Sequence, residues 1–78
     1  MGRNLRRMNL MDWRKSQGLK QFEAAERLGV SPAQLSRIER GEQWPEPATI
    51  TRIEDATGGA VTANDILARY RAAQSEAA

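Results

Sequence analysis

The sequence contains no cysteine and no histidine. Without cysteine there is no disulfide, no thiolate nucleophile and no sulfur ligand for a metal. Without histidine the commonest general base and the commonest zinc ligand are also missing. Aromatic residues are scarce, at two Trp, one Tyr and one Phe. No apolar run approaches the roughly 18 residues of a membrane span. No continuous apolar stretch follows the N-terminal arginines, so no signal peptide is expected and the cytoplasm is the expected location. The 78 residues suffice for one small domain. A chain of this size buries only about 60% of its unfolded surface, so its stability is expected to be marginal.

What is present is an uneven charge. The net charge is +2. Residues 1–40 hold nine Lys/Arg and four Asp/Glu, a balance of +5, whereas residues 41–78 hold three and six, a balance of −3. A basic front and an acidic back fit a protein that shows one face to a polyanion. Uneven charge is also common in small domains, and alone it decides nothing.

The hydrophobic spacing and the start and stop signals predict five helices and no strand. Residues 1–8 carry Arg3, Arg6 and Arg7 and read as a flexible basic arm. Asn9, with Asp12 three residues on, reads as the cap of a first helix carrying Leu10 and Trp13 inward, and Gly18 stops it. A second helix is expected over about 21–28, with Ala24, Ala25 and Leu28 on its apolar face and Gly29 after it. Ser31-Pro32-Ala33-Gln34 is the sharpest local signal: a capping serine, a proline at the first helical position, and a glutamine placed to complete a capping box. The third helix then runs over about 32–40 with Leu35 and Ile38 inward, and Gly41 ends it. Pro45 and Pro47 break the chain before a fourth helix with Ile50, Ile53 and Ala56 inward. Gly58-Gly59 stops that helix. Thr62, with Asp65 at the third helical position, opens a fifth carrying Ile66, Leu67 and Tyr70. The folded domain is expected over 9–71, with 72–78 a frayed tail.

Two short helices joined by Leu28-Gly29-Val30-Ser31 have the spacing of a helix-turn-helix. Several residues extend the likeness: Gln21, Ala25-x-x-Leu28-Gly29, Ser31, Ser36-Arg37-Ile38-Glu39-x-Gly41, and a proline before the fourth helix. As a set they resemble the lambda-repressor-like DNA-binding domains, the Cro and Xre family of prokaryotic regulators. The likeness spans about residues 9–68. It implies an all-α, compact five-helix domain whose third helix lies in the major groove while the second crosses the backbone.

That resemblance assigns Gln21, Pro32, Ala33, Ser36, Arg37 and Arg40 to DNA binding, and Lys20, Ser31 and Gln34 beside them are expected to share in it. With Leu35 and Ile38 inward, Pro32, Ala33, Ser36, Arg37 and Arg40 face outward. Arg37 can bond a guanine through two donors, and Ala33 can pack on a thymine methyl. The alternative for each is bland: an exposed helix charge for Arg37, a good helix former for Ala33, and a capping box for Gln34. Gln21 and Lys20 sit at the start of the second helix, which is itself an anion site. Lys20 stands where relatives carry a capping Ser or Thr. Relatives often carry basic residues in the loop that here reads Glu42-Gln43-Trp44, and Trp44 reads as a core or hinge plug. Arg14 and Glu39 match positions that form an ion pair bracing the first helix against the third. Phe22 stands where relatives are polar, as a partner contact or a reoriented core aromatic.

The expected function is a sequence-specific double-stranded DNA-binding transcriptional regulator, a repressor acting by occlusion, which needs no cofactor and no catalytic group. It is expected as a homodimer on an inverted repeat, with Ile66, Leu67 and Tyr70 as the dimer surface, and as nucleoid-associated when bound. A hetero-pair with another small regulator stays open. The alternative is a protein-interaction subunit, antitoxin-like or a co-regulator, that binds DNA only with a partner. Enzymatic chemistry is not expected: Glu54 and Asp55 are adjacent and diverge by about 100° around a helix, and no carboxylates have metal-site spacing. Four scattered aromatics argue against stacking on single-stranded RNA.

Overall fold

The computed structural model describes residues 8–77. They form five α-helices: α1 (Leu10–Ser16), α2 (Gln21–Leu28), α3 (Pro32–Glu39), α4 (Pro47–Ala56) and α5 (Ala63–Ala77). No strand occurs among the described residues, so the all-α fold expected from the spacing of apolar residues is borne out.

Local chemistry explains where the helices begin. Asn9 Oδ1 accepts the Asp12 N–H at 2.8 Å, and Ser31 Oγ accepts the Gln34 N–H at 3.0 Å. These caps satisfy amides that a helix start leaves free. Lys20 precedes α2 without a capping side chain of its own; the Glu23 carboxylate accepts the Lys20 N–H at 2.8 Å instead. At α5, Asp65 accepts the Thr62 N–H at 2.9 Å and Thr62 Oγ1 accepts the Asp65 N–H at 3.4 Å. Glu54, reaching over from α4, accepts the Ala63 N–H at 3.0 Å.

The core gathers Leu10, Trp13, Ala24, Ala25, Leu28, Leu35, Ile38, Ile53, Val61 and Ile66 from all five helices and the segment before α5. Ala24 and Ala25 are fully buried, and their small side chains let α2 lie close against α3 and α4. On α4 the inward stripe runs Thr49, Ile53, Thr57 at four-residue steps, which leaves Ala56 exposed rather than inward. Thr57 tolerates burial because its hydroxyl accepts the Val61 N–H at 3.1 Å.

Three further expectations are corrected here. Met8 does not belong to a free arm: its N–H donates to the Ala60 carbonyl at 3.1 Å and its side chain packs on the core. The arm arginines Arg3, Arg6 and Arg7 lie outside the described residues. The segment expected to fray beyond residue 71 is helical through Ala77. Its alanines favour helix, and Ala73 lies against the turn that ends α3. Trp44 is not a plug; it is 42% exposed, and the adjacent Pro45 takes the buried place.

Gly41 fixes the close approach of α3 to α5. Its φ is +76°, and a Cβ there would stand 2.7 Å from the Arg69 carbonyl oxygen and 2.7 Å from Ala73 Cβ. Backbone cannot yield as a flexible side chain does. Gly41→Ala is therefore expected to destabilise the domain by about 2–4 kcal/mol, from left-handed strain plus overpacking. Gly58→Ala, with φ +63° but nothing within 4 Å, is expected to cost only about 1 kcal/mol. Thermal unfolding followed by circular dichroism separates the two; equal melting temperatures would show that the α3–α5 approach is not tight.

Candidate functional site

The α2–turn–α3 unit is set by four consecutive residues. Gly29 is left-handed, with φ +73°, and Val30 donates back to the Ala25 carbonyl at 3.0 Å. This closes α2 and reverses the chain. Ser31 and Pro32 then start α3 at once. Leu28 and Leu35, both fully buried, join the two helices in one core.

With Leu35, Ile38 and Glu39 buried, the opposite side of α3 is open. Ser31, Pro32, Ala33, Arg37 and Arg40 do not share that burial: Ser31, Pro32, Ala33 and Arg40 lie at the surface and Arg37 is one of its outward cations. Gln34 and Ser36 flank them. Lys20 is exposed and Gln21 half-buried at the start of α2. Several of these side chains already have partners. Ser31 Oγ is committed to capping α3. The reciprocal half of that capping box, a bond from the Gln34 side chain back to Ser31, does not form, so the local role expected for Gln34 does not occupy it. Arg37 Nε donates to Gln43 Oε1 at 3.0 Å. Arg40 donates to Glu42 through Nε and Nη2, both at 3.0 Å, and to Ser36 Oγ through Nη1 at 2.8 Å. The Arg40 guanidinium holds the Glu42 carboxyl below the usual carboxylate range, and Glu42 in turn raises Arg40.

Beneath this face lies a buried ionic junction. Glu39 has a side chain 1% exposed. It accepts from Arg14 Nε at 2.7 Å, from Arg14 Nη2 at 3.2 Å and from Gln21 Nε2 at 3.0 Å. Arg14 also donates to the Leu19 carbonyl at 3.2 Å. Gln21 thus spends one amide hydrogen inward and keeps a second, beside the first N–H groups of α2. At this same C-terminal end of α3, Arg69 of α5 donates to the Glu39 and Arg40 carbonyls, both at 3.2 Å. A helix end leaves such carbonyls unpaired, and a cation there also meets the helix dipole favourably. No sequence signal points to Arg69, because 30 residues separate it from Glu39 and no periodicity links two different helices.

Two aromatics are exposed. Phe22 on α2 is 59% exposed, which removes the reading of it as a core aromatic. Trp44 lies tilted against Tyr70, with ring centroids 6.0 Å apart and planes at 60°, a favourable edge-on arrangement. Leu67 and Tyr70 are half-buried on α5. Ile66, expected at the same surface, is 4% exposed and belongs to the core. Of the three residues expected at a dimer surface it is the one withdrawn.

No cluster of metal-binding side chains occurs among the described residues. No helix there is long and apolar enough to cross a membrane. An open groove of about 480 Å³ is lined by Met8, Asn9, Asp12, Asp65, Ala68, Arg69 and Ala72. No residue of α2 or α3 lines it, so it is separate from the face described above.

A family model described as helix-turn-helix matches residues 10–62, more than half of the chain. No curated protein and no solved structure matches the chain.

Truncating one side of a buried ion pair leaves the other charge unpaired in low dielectric. Glu39→Ala is therefore expected to cost about 3–5 kcal/mol and to loosen α1 and α2 together. Urea unfolding measures the loss. A change no larger than that of an ordinary surface substitution would show that Arg14 reaches water instead.

Proposed function

The chain belongs to the helix-turn-helix family of DNA-binding transcription regulators, and from that premise we propose that it is a sequence-specific repressor that binds an inverted-repeat operator in double-stranded DNA as a homodimer. The observation that carries this reading is the division of α3. Its inner side is fixed by Leu35, Ile38 and the Glu39 junction, while Pro32, Ala33, Ser36 and Arg37 stay outward on one rigid surface.

In this reading α3 enters the major groove. Arg37 keeps both Nη groups free of hydrogen bonds among the described residues while Gln43 holds its Nε. Two parallel donors are what guanine O6 and N7 accept. Ala33 meets a thymine methyl, and Gln34 and Ser36 reach neighbouring base edges or sugar. Lys20, Gln21 and the Ser31 hydroxyl hydrogen meet the phosphate backbone, the first two beside the start of α2. Arg40 lies over the same strand but arrives already paired.

A single α3 offers few base contacts, so useful discrimination calls for a second half-site about one helical turn away. Leu67, Tyr70 and Trp44 form the surface we assign to a second copy. Repression follows from occupancy alone. A second reading rests on Phe22, whose exposure the fold does not use: a protein partner covers it, and DNA is bound only with that partner.

Selection from randomised DNA duplexes tests the first reading, with the expected product an inverted repeat whose half-sites contain guanine. Arg37→Ala is expected to lose about tenfold or more in discrimination at one position of each half-site, with an unchanged melting temperature. Leu67→Glu is expected to lower the sedimentation coefficient to that of a monomer and to weaken operator binding. Selection that returns no motif, together with loss of a co-purifying protein on Phe22→Glu, would favour the partner-dependent reading.

A further inference from the structure

The two outward arginines of α3 and its cap are held by consecutive residues of the loop that follows, and the two holders differ in charge. Gln43, which is neutral, takes only the Nε of Arg37. Glu42, an anion, takes Nε and Nη2 of Arg40 in a two-pronged arrangement at 3.0 Å each. That is the geometry in which a guanidinium grips a phosphate. The third nitrogen of Arg40 donates to Ser36. Arg37, near the Glu42 charge but not bonded to it, keeps free donors, whereas Arg40 is ion-paired and its donors are directed within the chain.

The Arg40–Glu42 pair is not needed to hold the turn. Both side chains are 53% exposed. The backbone closes the turn by itself: Gly41 donates to the Ile38 carbonyl at 3.0 Å and Glu42 to the Arg37 carbonyl at 2.8 Å. Arg69 holds the Arg40 carbonyl from α5. Exposed pairs of this kind contribute little to folding. Arg40 keeps the Glu42 carboxyl below its ordinary range, so Glu42 is anionic at neutral pH.

Resting on the DNA-binding reading above, we infer that Glu42 is a specificity-determining residue: its carboxylate occupies the Arg40 guanidinium in place of a DNA phosphate. Affinity for the phosphate backbone is the same on every sequence, and it is the part of binding that carries no information. Withholding one arginine from it leaves discrimination to Arg37 and its neighbours. The balance between operator and bulk DNA is then set by a single acidic side chain in the loop.

The experiment uses the full chain and a mixed-sequence duplex of about 20 bp, long enough for two half-sites. Binding is measured from roughly 50 to 200 mM salt. Glu42→Gln is expected to bind this duplex several-fold more tightly at the low-salt end. Its plot of log affinity against log salt is expected to steepen by about 0.9, the increment for one more neutralised phosphate. Glu42→Lys is expected to steepen it further. Melting temperatures are expected to match the parent, since the side chain is exposed. In Arg40→Gln/Glu42→Gln the tighter binding is expected to vanish.

An unchanged affinity and slope in Glu42→Gln would overturn the inference. So would tighter binding that persists in the double variant, whose net charge equals the parent's, because the effect would then not act through Arg40. Failure of the parent chain to bind the duplex at any salt would overturn the DNA-binding reading and this inference with it. That outcome is distinct from a parent that binds with a normal salt slope while Glu42→Gln does not differ from it.

Discussion

One carboxylate organises the domain. Glu39 ends α3 inside the protein, and a charge moved there from water is costly unless it is paired and hydrogen-bonded. Here Arg14 of α1 supplies two donors and Gln21 of α2 a third. Three helices therefore meet at one group. Arg14 also binds the Leu19 carbonyl, so the loop into α2 is fixed by the same guanidinium. No buried side-chain polar atom among the described residues is left without a partner. Rotating α3 about its axis would break these bonds and strand a charge in the interior. The apolar core alone imposes no such penalty, because Leu35 and Ile38 could repack at modest cost. The junction fixes the rotation of α3, and with it the set of side chains that faces outward.

That constraint matters because the chain is small. Among the described residues ten buried apolar side chains form its core, and a domain of this size has little surplus stability. Rigidity at the recognition face comes from directional bonds placed just beneath it. Arg14 and Gln21 hold α3 from the inner side, Ser31 and Pro32 define its start, and Arg69 holds the carbonyls at its end. A base-reading helix needs this, since a two-donor contact to a base edge is lost when the helix rolls.

Much of the fold is legible in the sequence because its signals are local. Asn9, Ser31-Pro32 and the Thr62–Asp65 pair mark helix starts within three residues, and the glycines mark the stops. Lys20 shows the limit of that logic. A missing cap side chain reads as a loss, yet Glu23 supplies half of the cap from inside the helix. Contacts between helices leave no trace of this kind. Glu54 on the first amide of α5, and Arg69 on the end of α3, join residues whose spacing carries no periodicity. The Arg14–Glu39 pairing is reachable only through resemblance to a family. Trp44 misleads because a bulky aromatic reads as core, yet here Pro45 is the buried neighbour and the indole lies exposed against Tyr70. Ile66 shows how two roles compete on one helix: named with Leu67 and Tyr70 for a dimer surface, it takes the alternative of ordinary core packing, in one cluster with Val61 and Ile53.

The position of α5 links the two halves of the proposed function. Its inner side touches the end of α3 at two points: Arg69 on the Glu39 and Arg40 carbonyls, and Ala73 and the Arg69 carbonyl against Gly41. Its half-buried Leu67 and Tyr70, with Trp44 against the latter, form the surface assigned to a second copy. In the proposed dimer, any change in how two α5 helices meet would be transmitted to α3 through a glycine contact with no room to yield. In a dimer reading two half-sites, the separation of the α3 helices has to match about one turn of DNA. In the proposed dimer, the tight, hydrogen-bonded α3–α5 joint would convert the contact between copies into that separation directly. The loop bearing Glu42 and Gln43 lies at this same joint, immediately after Gly41. The residues that hold Arg40 and Arg37 thus sit where, under the proposed function, the dimer geometry would be delivered to the DNA.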